Sequence, residues 1–330
     1  MAKCVVCGKP GVYTDRLTGR VLCKKHFLEH FDRKVRRTIR RYEMLGRREH
    51  IVVATSGGKD SLSLLHYLYG LSKNVPGWRI SALLIDEGIK GYREYTVKDM
   101  LRVVEDLGIP YRIVSFKEYF GLTLDEIVET GKKRGLPYLP CSYCGVFRRY
   151  LLNRIAREMG ATVLATAHNL DDTIQTFLLN VLRNSWERVV RQGPVTGIID
   201  HPKFVRRIKP FVEVTEKETA TYALLQGLVM PEFYECPYVH YNVRVSIRRF
   251  INELEERHPG IKYSMLRSML TVIDLLTKNH SLKGEISECR ICGEPSSHEI
   301  CRACFYRYKL GIMESREMVV AEEVFKHKKP

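Results

Sequence analysis

The segment IVVATSGGKDS, residues 51–61, constrains the fold more than any other part of this sequence. Its first four residues form an unbroken and mostly β-branched apolar run, which is typical of a strand buried on both faces of a parallel sheet. The glycine pair after it lets backbone N–H groups approach an anion, and leucines then recur at helical spacing at positions 62, 64, 65, 68 and 71. The segment therefore predicts a strand, an anion-binding loop and a helix within a Rossmann-like α/β domain with a parallel sheet.

This loop is not a Walker A sequence, GxxxxGK[ST], which would require glycine at Val53 and serine or threonine at Asp60. The residues SGGKDS instead resemble the PP-loop of ATP pyrophosphatases. The resemblance implies that Lys59 neutralises the pyrophosphate released when ATP adenylates an oxygen, and that Asp60 helps to place Mg²⁺. The plain alternative is an ordinary glycine-rich turn. The ATP-binding residues expected on this basis are Ala54, Thr55, Ser56, Gly57, Gly58, Lys59, Asp60, Ser61, Ile85, Arg148 and Ala167.

Charge points to a polyanionic partner. The formal net charge of the 330 residues is +16, which is large for an enzyme that acts only on a small metabolite. RNA or DNA is the first candidate, and a solvated basic face is the alternative. The sequence shows neither a membrane-spanning run nor the apolar core of a signal peptide, so we expect a cytoplasmic protein that does not enter a membrane. Its three glutamines are in keeping with a thermophilic source.

Cysteine spacing predicts two zinc fingers, one at each end of the chain. In a cytoplasmic protein, paired cysteines indicate metal ligands rather than disulfides. Each set offers four tetrahedral ligands, which is the number that a structural zinc requires. The alternative is that the cysteines are reduced and merely packed. The predicted zinc ligands are Cys4, Cys7, Cys23 and His26 in the first finger and Cys289, Cys292, Cys301 and Cys304 in the second.

Three further cysteines, Cys141, Cys144 and Cys236, lie outside these sets. Three thiolates without a fourth ligand suggest an iron–sulfur cluster with one open iron, because a structural zinc would have four. Two other interpretations stay open. One cysteine could carry a persulfide while Cys141 and Cys144 form a redox pair, or all three could be buried, inert thiols.

Strands and helices alternate after the first unit. Strands are predicted at residues 80–85, 111–114, 162–167 and 207–211, and helices at 92–107, 124–131 and from Cys141 onward. The strand at 162–167 leads into a carboxylate pair, Asp171 and Asp172, which should face the same crevice as the phosphate loop. The plain interpretation makes Asp171 the N-cap of the next helix and leaves the other carboxylate free for chemistry.

Further helices and the domain boundaries follow from periodicity and composition. A basic helix is predicted at residues 30–48, either docked on the core or exposed as a linker, and later helices at 243–251 and 264–276. We expect an N-terminal zinc finger at residues 1–30 and a PP-loop catalytic domain at 31–220. A helical extension of that domain at 221–284 and a second zinc finger with a basic tail at 285–330 complete the chain.

Taken together, the motifs SGGKDS, CSYCG, AHNLDD, RIKPF and the later Cys236-Pro237 resemble those of the tRNA 2-thiouridine synthetases of the TtcA/TtuA family. Because both ends carry a predicted zinc finger of the short type called a zinc knuckle, the chain is most similar to the TtuA branch. The resemblance implies that ATP adenylates the C2 oxygen of a uridine and that sulfur then replaces it. It also implies a [4Fe-4S] cluster on Cys141, Cys144 and Cys236, with Cys236 among the catalytic residues.

The same resemblance implies residue roles and partners. Asp172 becomes the candidate base or metal carboxylate. Arg148, which stands where relatives often have lysine, becomes an electrostatic clamp that is not expected to take a proton. The implied target is the ribothymidine at position 54 of the tRNA T-loop, and the implied sulfur donor is a ubiquitin-like carrier with a C-terminal thiocarboxylate. Homodimerisation is implied as well.

Three other functions stay open at this point. Anticodon-wobble uridine thiolases also combine a PP-loop with zinc cysteines. A zinc-finger RNA-binding protein with a relic PP-loop would leave the intact SGGKDS and the carboxylate pair without a use. An ATP-dependent amidase or ligase of a small metabolite would leave the charge and the knuckles unexplained.

Overall fold

A sheet of mainly parallel strands forms the centre of the computed structural model, which describes residues 2–196, 201–228, 234–239, 243–278 and 286–326. The strands in chain order are β1 (Tyr13–Thr14), β2 (Val21–Leu22), β3 (Glu49–Thr55), β4 (Trp78–Asp86), β5 (Tyr111–Ser115), β6 (Val163–Ala165), β7 (Val195–Thr196), β8 (Arg206–Ile208), β9 (Ser287–Glu288) and β10 (Pro295–Ser296). The central sheet has the spatial order β5-β4-β3-β6-β8-β7, and β7 runs antiparallel to β8.

Helices cover both faces of this sheet. In chain order they are α1 (Lys24–Arg41), α2 (Lys59–Ser72), α3 (Arg93–Leu107), α4 (Phe116–Phe120), α5 (Leu124–Lys133), α6 (Pro140–Glu158), α7 (Leu170–Leu182), α8 (Trp186–Val189), α9 (Glu216–Leu225), α10 (Arg244–Arg257), α11 (Ile261–Lys278), α12 (Arg302–Leu310) and α13 (Ser315–Lys326). The predicted Rossmann-like α/β architecture is confirmed.

Strand β3 separates two hydrophobic clusters. Ile51 and Val53 point into one cluster with α1, α2 and α7, whereas Val52 points into the other with α5, α6 and α12. Successive side chains of a strand alternate between faces, and all three residues are fully buried because both faces of the sheet are covered. The N-terminal knuckle therefore lies on one side of the sheet and the C-terminal knuckle on the other.

Two predicted strands are shorter in the structure. The strand expected at residues 162–167 pairs only over Val163–Ala165, and the one expected at 207–211 ends at Ile208. Pro210 explains the second difference, because proline has no N–H to continue the ladder. The antiparallel edge strand β7 was not predicted.

Helix α1 docks on the core instead of serving as an exposed linker. Phe27, Phe31 and Val35 are fully buried, so the helix contributes one whole face to the first hydrophobic cluster. It begins at Lys24, inside the first ligand set, and ends at Arg41 instead of continuing to residue 48. The left-handed conformation of Glu43, with φ of 48°, prevents continuation of the helix. No helix among the described residues is long and apolar enough to cross a membrane.

Candidate active site

The carboxyl ends of three neighbouring strands meet at one edge of the sheet. Strand β3 ends at the SGGKDS loop, β4 ends at Asp86 and Glu87, and β6 is followed by His168 and Asn169. Because β3 pairs in parallel with both β4 and β6, these three segments open on the same side. This edge is where open α/β sheets bind ligands.

The phosphate loop is held in shape by Ser61. Its hydroxyl donates to the carbonyl oxygen of Gly58 at 2.9 Å and accepts from the backbone N–H of Ser56 at 3.0 Å. Helix α2 begins at Lys59, directly after Gly58, and no side chain caps its N-terminus. Its first backbone N–H groups are therefore left for an anion, as the sequence predicted.

Gly57 cannot carry a side chain in this loop. Its φ is +80°, and a Cβ built there would lie 1.9 Å from the carbonyl oxygen of Thr96 in helix α3. The loop thus packs backbone to backbone on α3. Gly58 has no such restriction, since its φ is −80° and a Cβ would meet only the Ser56 hydroxyl at 3.5 Å.

Lys59 and Asp60 meet helix α9 across the crevice. The Lys59 ammonium lies 2.8 Å from Asp60 and 3.1 Å from Glu216, and these carboxylates raise its pKa against the effect of desolvation. Asp60 also accepts a hydrogen bond from Thr219 and lies 3.4 Å from the amide of Asn169. Sequence analysis missed Glu216 and Thr219, because nothing in the local pattern of α9 indicates which strand ends it faces.

The two aspartates after β6 have different environments, and Asp171 is not the N-cap. Asn169 caps α7 by accepting from the backbone N–H of Asp172 at 2.9 Å, and the Asp172 side chain closes the capping box. Asp171 is buried against Lys262 and accepts from the N–H of Glu216 at 2.8 Å. The prediction for Asp171 is wrong because the asparagine two positions earlier already occupies the cap.

Asp172 faces the crevice. Its carboxylate lies 2.9 Å from Arg244. Desolvation raises the pKa of Asp172, Arg244 opposes this, and the nearby Asp60 carboxylate adds to the rise. A carboxyl group with a raised pKa beside a second carboxylate is suited to hold a metal ion or to accept a proton.

A buried ion-pair bridge joins the phosphate loop to the cysteine region. Arg93 donates to the carbonyl oxygens of Ser56 at 2.9 Å and Ile85 at 2.6 Å, and its Nε lies 2.8 Å from Glu87. The other carboxylate oxygen of Glu87 lies 3.3 Å from Arg148. Arg93 and Glu87 are almost fully buried, whereas Arg148 is about half exposed at 47%. Sequence analysis found Arg148 but neither Glu87 nor Arg93.

The three central cysteines approach one another from two segments. Cys141 and Cys144 lie in the first turn of α6, and the Cys141 sulfur is 3.9 Å from the carbonyl oxygen of Tyr238, two residues after Cys236. Burial raises the pKa of Cys144 to about 11, Arg148 opposes the rise, and charge on Cys141 and Cys236 adds to it. The segments distant in sequence are thus adjacent, and all three thiols are free.

The remaining residues expected to bind ATP lie around this edge. Ala54 and Ala167 are half-buried at the ends of β3 and β6. Ile85 is only 3% exposed, and its carbonyl oxygen already accepts a hydrogen bond from Arg93. Thr55 is buried and donates to the carbonyl oxygen of Leu83 at 3.2 Å.

Both predicted zinc sets converge, and among the described residues they are the sets whose ligand atoms all lie within 4.8 Å of one another. In the first set, His26 Nδ1 is 3.3 Å from the Cys4 sulfur and 3.4 Å from that of Cys23. Desolvation opposes ionisation of Cys4, yet backbone N–H groups and His26 lower its pKa to about 6. In the second set, Cys292 and Cys301 are 3.7 Å apart. Such donor sets fit tetrahedral zinc.

The central cysteines do not form a third set this tight. A cluster of four irons and four sulfides holds its cysteines farther apart than a single ion does, since each cysteine binds a different iron. The sulfurs of Cys141, Cys144 and Cys236 therefore do not all lie as close together as a single zinc ion requires.

Known proteins share these features. A match to the PP-loop domain family covers residues 27–254. The chain is 38% identical to the tRNA-5-methyluridine(54) 2-sulfurtransferase of Pyrococcus horikoshii, over 92% of both chains, and 35% identical to the tRNA 2-thiolation protein NcsA of Haloferax volcanii, over 92% of this chain and 97% of that one. Its fold matches the U34-tRNA thiolase NcsA from Methanococcus maripaludis, solved with its [4Fe-4S] cluster. The TM-score is 0.81 at 36% identity, over 95% of this chain and 98% of that one.

Proposed function

This chain belongs to the TtcA/TtuA family of PP-loop tRNA sulfurtransferases, and from that premise we propose that it converts the ribothymidine at position 54 of the tRNA T-loop into its 2-thio form. The choice of position 54 follows the 38% identity to the Pyrococcus enzyme, and the observation that carries the sulfurtransferase activity is the meeting of three groups at one sheet edge. These are the phosphate loop, the Asp60–Asp172 carboxylates and the cysteines of α6.

ATP activation is assigned to the loop side. The uncapped N-terminus of α2 and the Lys59 ammonium would hold the β- and γ-phosphates, and Asp60 would hold Mg²⁺. The uridine O2 attacks the α-phosphorus, a new O–P bond forms, and pyrophosphate leaves. Asp172 would accept the N3 proton of the base, which its raised pKa favours.

Sulfur transfer is assigned to the cysteine side. Cys141, Cys144 and Cys236 would hold a [4Fe-4S] cluster, which when bound supplies an iron without a protein ligand that can hold and release sulfur. Arg148 stays positively charged, because Cys144 and Glu87 raise its pKa, and it lies between the thiols and the phosphate loop. From there it would stabilise the departing AMP as sulfur takes its place on C2.

Thiolation of defined tRNAs tests the target position. Purified protein would be incubated anaerobically with ATP, Mg²⁺, sulfide and a tRNA, and 2-thiolated uridine would be measured by mass spectrometry. We expect loss of product when U54 is replaced by cytidine and full product when U34 is replaced. The reverse pattern would instead support a wobble thiolase, a second candidate that the Methanococcus structure favours.

Two loop variants test the ATP assignment. Lys59→Ala and Asp60→Ala should abolish AMP formation while the absorbance of the cluster is retained, because both residues act on the triphosphate and not on the cysteines. AMP formation at the normal rate in either variant would contradict the assignment.

Cluster-loaded and cluster-free protein separate the two sulfur mechanisms. With sulfide and ATP, only the loaded protein should thiolate tRNA, and Cys141→Ala, Cys144→Ala and Cys236→Ala should each lose both the cluster and the activity. Equal yields from both preparations would reject sulfur transfer through the cluster. A cysteine persulfide would instead give product from cluster-free protein that is supplied with a persulfide donor, because sulfide alone cannot form a persulfide without an oxidant.

We also propose that each terminal ligand set binds one zinc ion. From the family we infer that the sulfur donor is a ubiquitin-like carrier with a C-terminal thiocarboxylate. We likewise infer that the protein forms a homodimer. A pull-down with the thiocarboxylated carrier and sedimentation of the purified protein test the last two.

A further inference from the structure

Cations at the crevice fall into two groups that differ in their partners. In the first group, each cation has a carboxylate: Lys59 has Asp60 and Glu216, Arg93 and Arg148 have Glu87, and Arg244 has Asp172. In the second group, on the β8 side, the side chains of Arg149 and Arg207 have no hydrogen bond or ion pair with any described residue. Lys209 donates to the carbonyl oxygen of Gln192 at 2.7 Å and has no carboxylate within ion-pair distance in the described part of the chain.

Strand alternation explains how these residues come together. Ile208 points into the hydrophobic cluster on the α1 side of the sheet, so Arg207 and Lys209 share the opposite face, which α6 covers. Arg149 lies on α6, and its guanidinium folds back towards the start of that helix. A Cβ atom built on Gly145 would lie 3.1 Å from its Nη1 atom. We call Arg149, Arg207 and Lys209 the β8 cation cluster.

The β8 cation cluster borders the catalytic crevice. Arg207 lies beside Leu164 of β6, and Lys209 follows the carboxyl end of β8 just as His168 follows that of β6. Desolvation lowers the pKa of His168 well below its usual value, and Lys209, Arg244 and Arg207 lower it further. The cluster is therefore next to the site, but on the side away from the phosphate loop.

Such a cluster is costly for the protein alone. Desolvation and the charge of Arg149 lower the pKa of Arg207 to about 10. Desolvation and Arg207 lower the pKa of Lys209 to about 8, although the charge of Asp172 opposes this fall. Like charges that share a partly desolvated site repel one another, and an anion supplied from outside would remove the repulsion.

We propose that the β8 cation cluster binds backbone phosphates of the RNA substrate beside the target nucleotide and thereby directs that base into the crevice. This inference rests on the proposed function. ATP has its own anion site at the N-terminus of α2, with β6 between that loop and β8, so the cluster is left for a second polyanion. Guanidinium groups bind phosphate oxygens in pairs, and a nucleotide splayed out of a loop presents its flanking phosphates.

Salt dependence of tRNA binding tests this proposal. We expect Arg207→Gln and Arg149→Gln each to lower the slope of log K against log salt by roughly one, since each removes one phosphate contact. The KM for tRNA should rise, whereas the KM for ATP should not change. Matched controls are Arg206→Gln, whose side chain pairs with Glu49 at 3.1 Å, and Arg154→Gln, which pairs with Glu158 at 3.0 Å on the same helix. Both controls should keep the wild-type slope.

The outcomes separate this proposal from the proposed function. Failure of the wild-type protein to thiolate tRNA in the same assay would reject the function itself. If the wild type is active and the salt slopes of Arg207→Gln and Arg149→Gln are unchanged, only the role of the β8 cation cluster is rejected. A raised KM for ATP with an unchanged salt slope would show that the β8 cation cluster binds ATP instead. Relief of repulsion should leave the melting temperature of Arg207→Gln at or above the wild-type value, and a marked fall would show that Arg207 has a structural role.

Discussion

At the scale of single residues, Gly57 makes the sharpest prediction for the phosphate loop. Gly57→Ala places a methyl group against the backbone of Thr96 in a left-handed conformation, so the loop must move or the protein must lose stability. We expect loss of AMP formation and a lower melting temperature. Gly58→Ala is the matched control, because its backbone is extended and its surroundings are open, and it should fold normally. Equal effects of the two substitutions would contradict the close approach of α3.

Glu87 is the residue on which the ion-pair bridge depends. Glu87→Gln removes the nearer counter-charge of the buried Arg93 and leaves it only the Asp86 carboxylate at 3.7 Å, which should cost at most about 3 kcal/mol of folding free energy. It also frees Arg148, so thiolation should fall. Arg148→Gln removes only the half-exposed end of the bridge and should lower thiolation with little change in melting temperature. If Arg148→Gln destabilises the protein as much as Glu87→Gln does, the bridge is not organised around Glu87.

Sequence reasoning worked best for residues whose neighbours along the chain define their task. The SGGKDS loop and both zinc-type ligand sets are local motifs, and the structure brings each together where the spacing predicted. Sequence analysis did not identify Glu87, Arg93 and Glu216 as site residues, because their partners lie on other elements and no local pattern reveals a tertiary ion pair. Asp171 was misassigned for a local reason, since Asn169 is the better-placed cap.

At the scale of elements, helices α1 and α9 are joined by a buried charge cluster that makes stability depend on pH. Burial alone would raise the pKa of Glu218, but the hydrogen bond from His30 and the Lys34 ammonium at 2.6 Å lower it to about 2. Because the folded value lies below the unfolded one of about 4.3, the stabilisation is present above pH 4 and is lost as pH falls towards 2.

Glu218→Gln should therefore destabilise the protein by roughly 3 kcal/mol at neutral pH. The measurement is denaturant unfolding of both proteins between pH 7 and pH 2. The difference between them should shrink below pH 4. Loss of any metal from the terminal ligand sets in acid would affect both proteins alike. A difference that stays constant down to pH 2 would show that Glu218 stabilises the protein by packing and not by charge.

Helix boundaries show how far element prediction reaches. The hydrophobic face of α1 was readable from its periodicity, but the choice between docking and exposure depended on Tyr222 and Phe211, whose rings pack on Phe31 at 4.4 and 5.5 Å. Those partners come from far along the chain. Periodicity therefore predicted the element, and tertiary packing decided what it does.

At the scale of the whole molecule, the two terminal knuckles are integrated differently. The N-terminal knuckle leads directly into α1, whereas the C-terminal knuckle packs on α6, the helix that bears Cys141 and Cys144. Tyr306 of the C-terminal region makes an edge-to-face contact with Tyr143, with ring centroids 4.9 Å apart, and Glu294 pairs with Arg157 at 3.0 Å. A domain boundary at residue 30 would divide α1, which continues to Arg41.

This arrangement predicts unequal consequences of zinc loss. Cys7→Ser and Cys292→Ser should each remove about one zinc per chain, since three ligands hold the ion weakly. Cys292→Ser should also speed hydrogen exchange in α6 and lower the absorbance of the cluster near 400 nm, because its knuckle supports the turn that carries two of the three cysteines. Cys7→Ser should speed exchange in α1 and leave the cluster in place. Equal loss of the cluster in both variants would mean that each knuckle stabilises the whole fold and not one helix. Retention of two zinc ions in both variants would show that the predicted ligand sets are wrong.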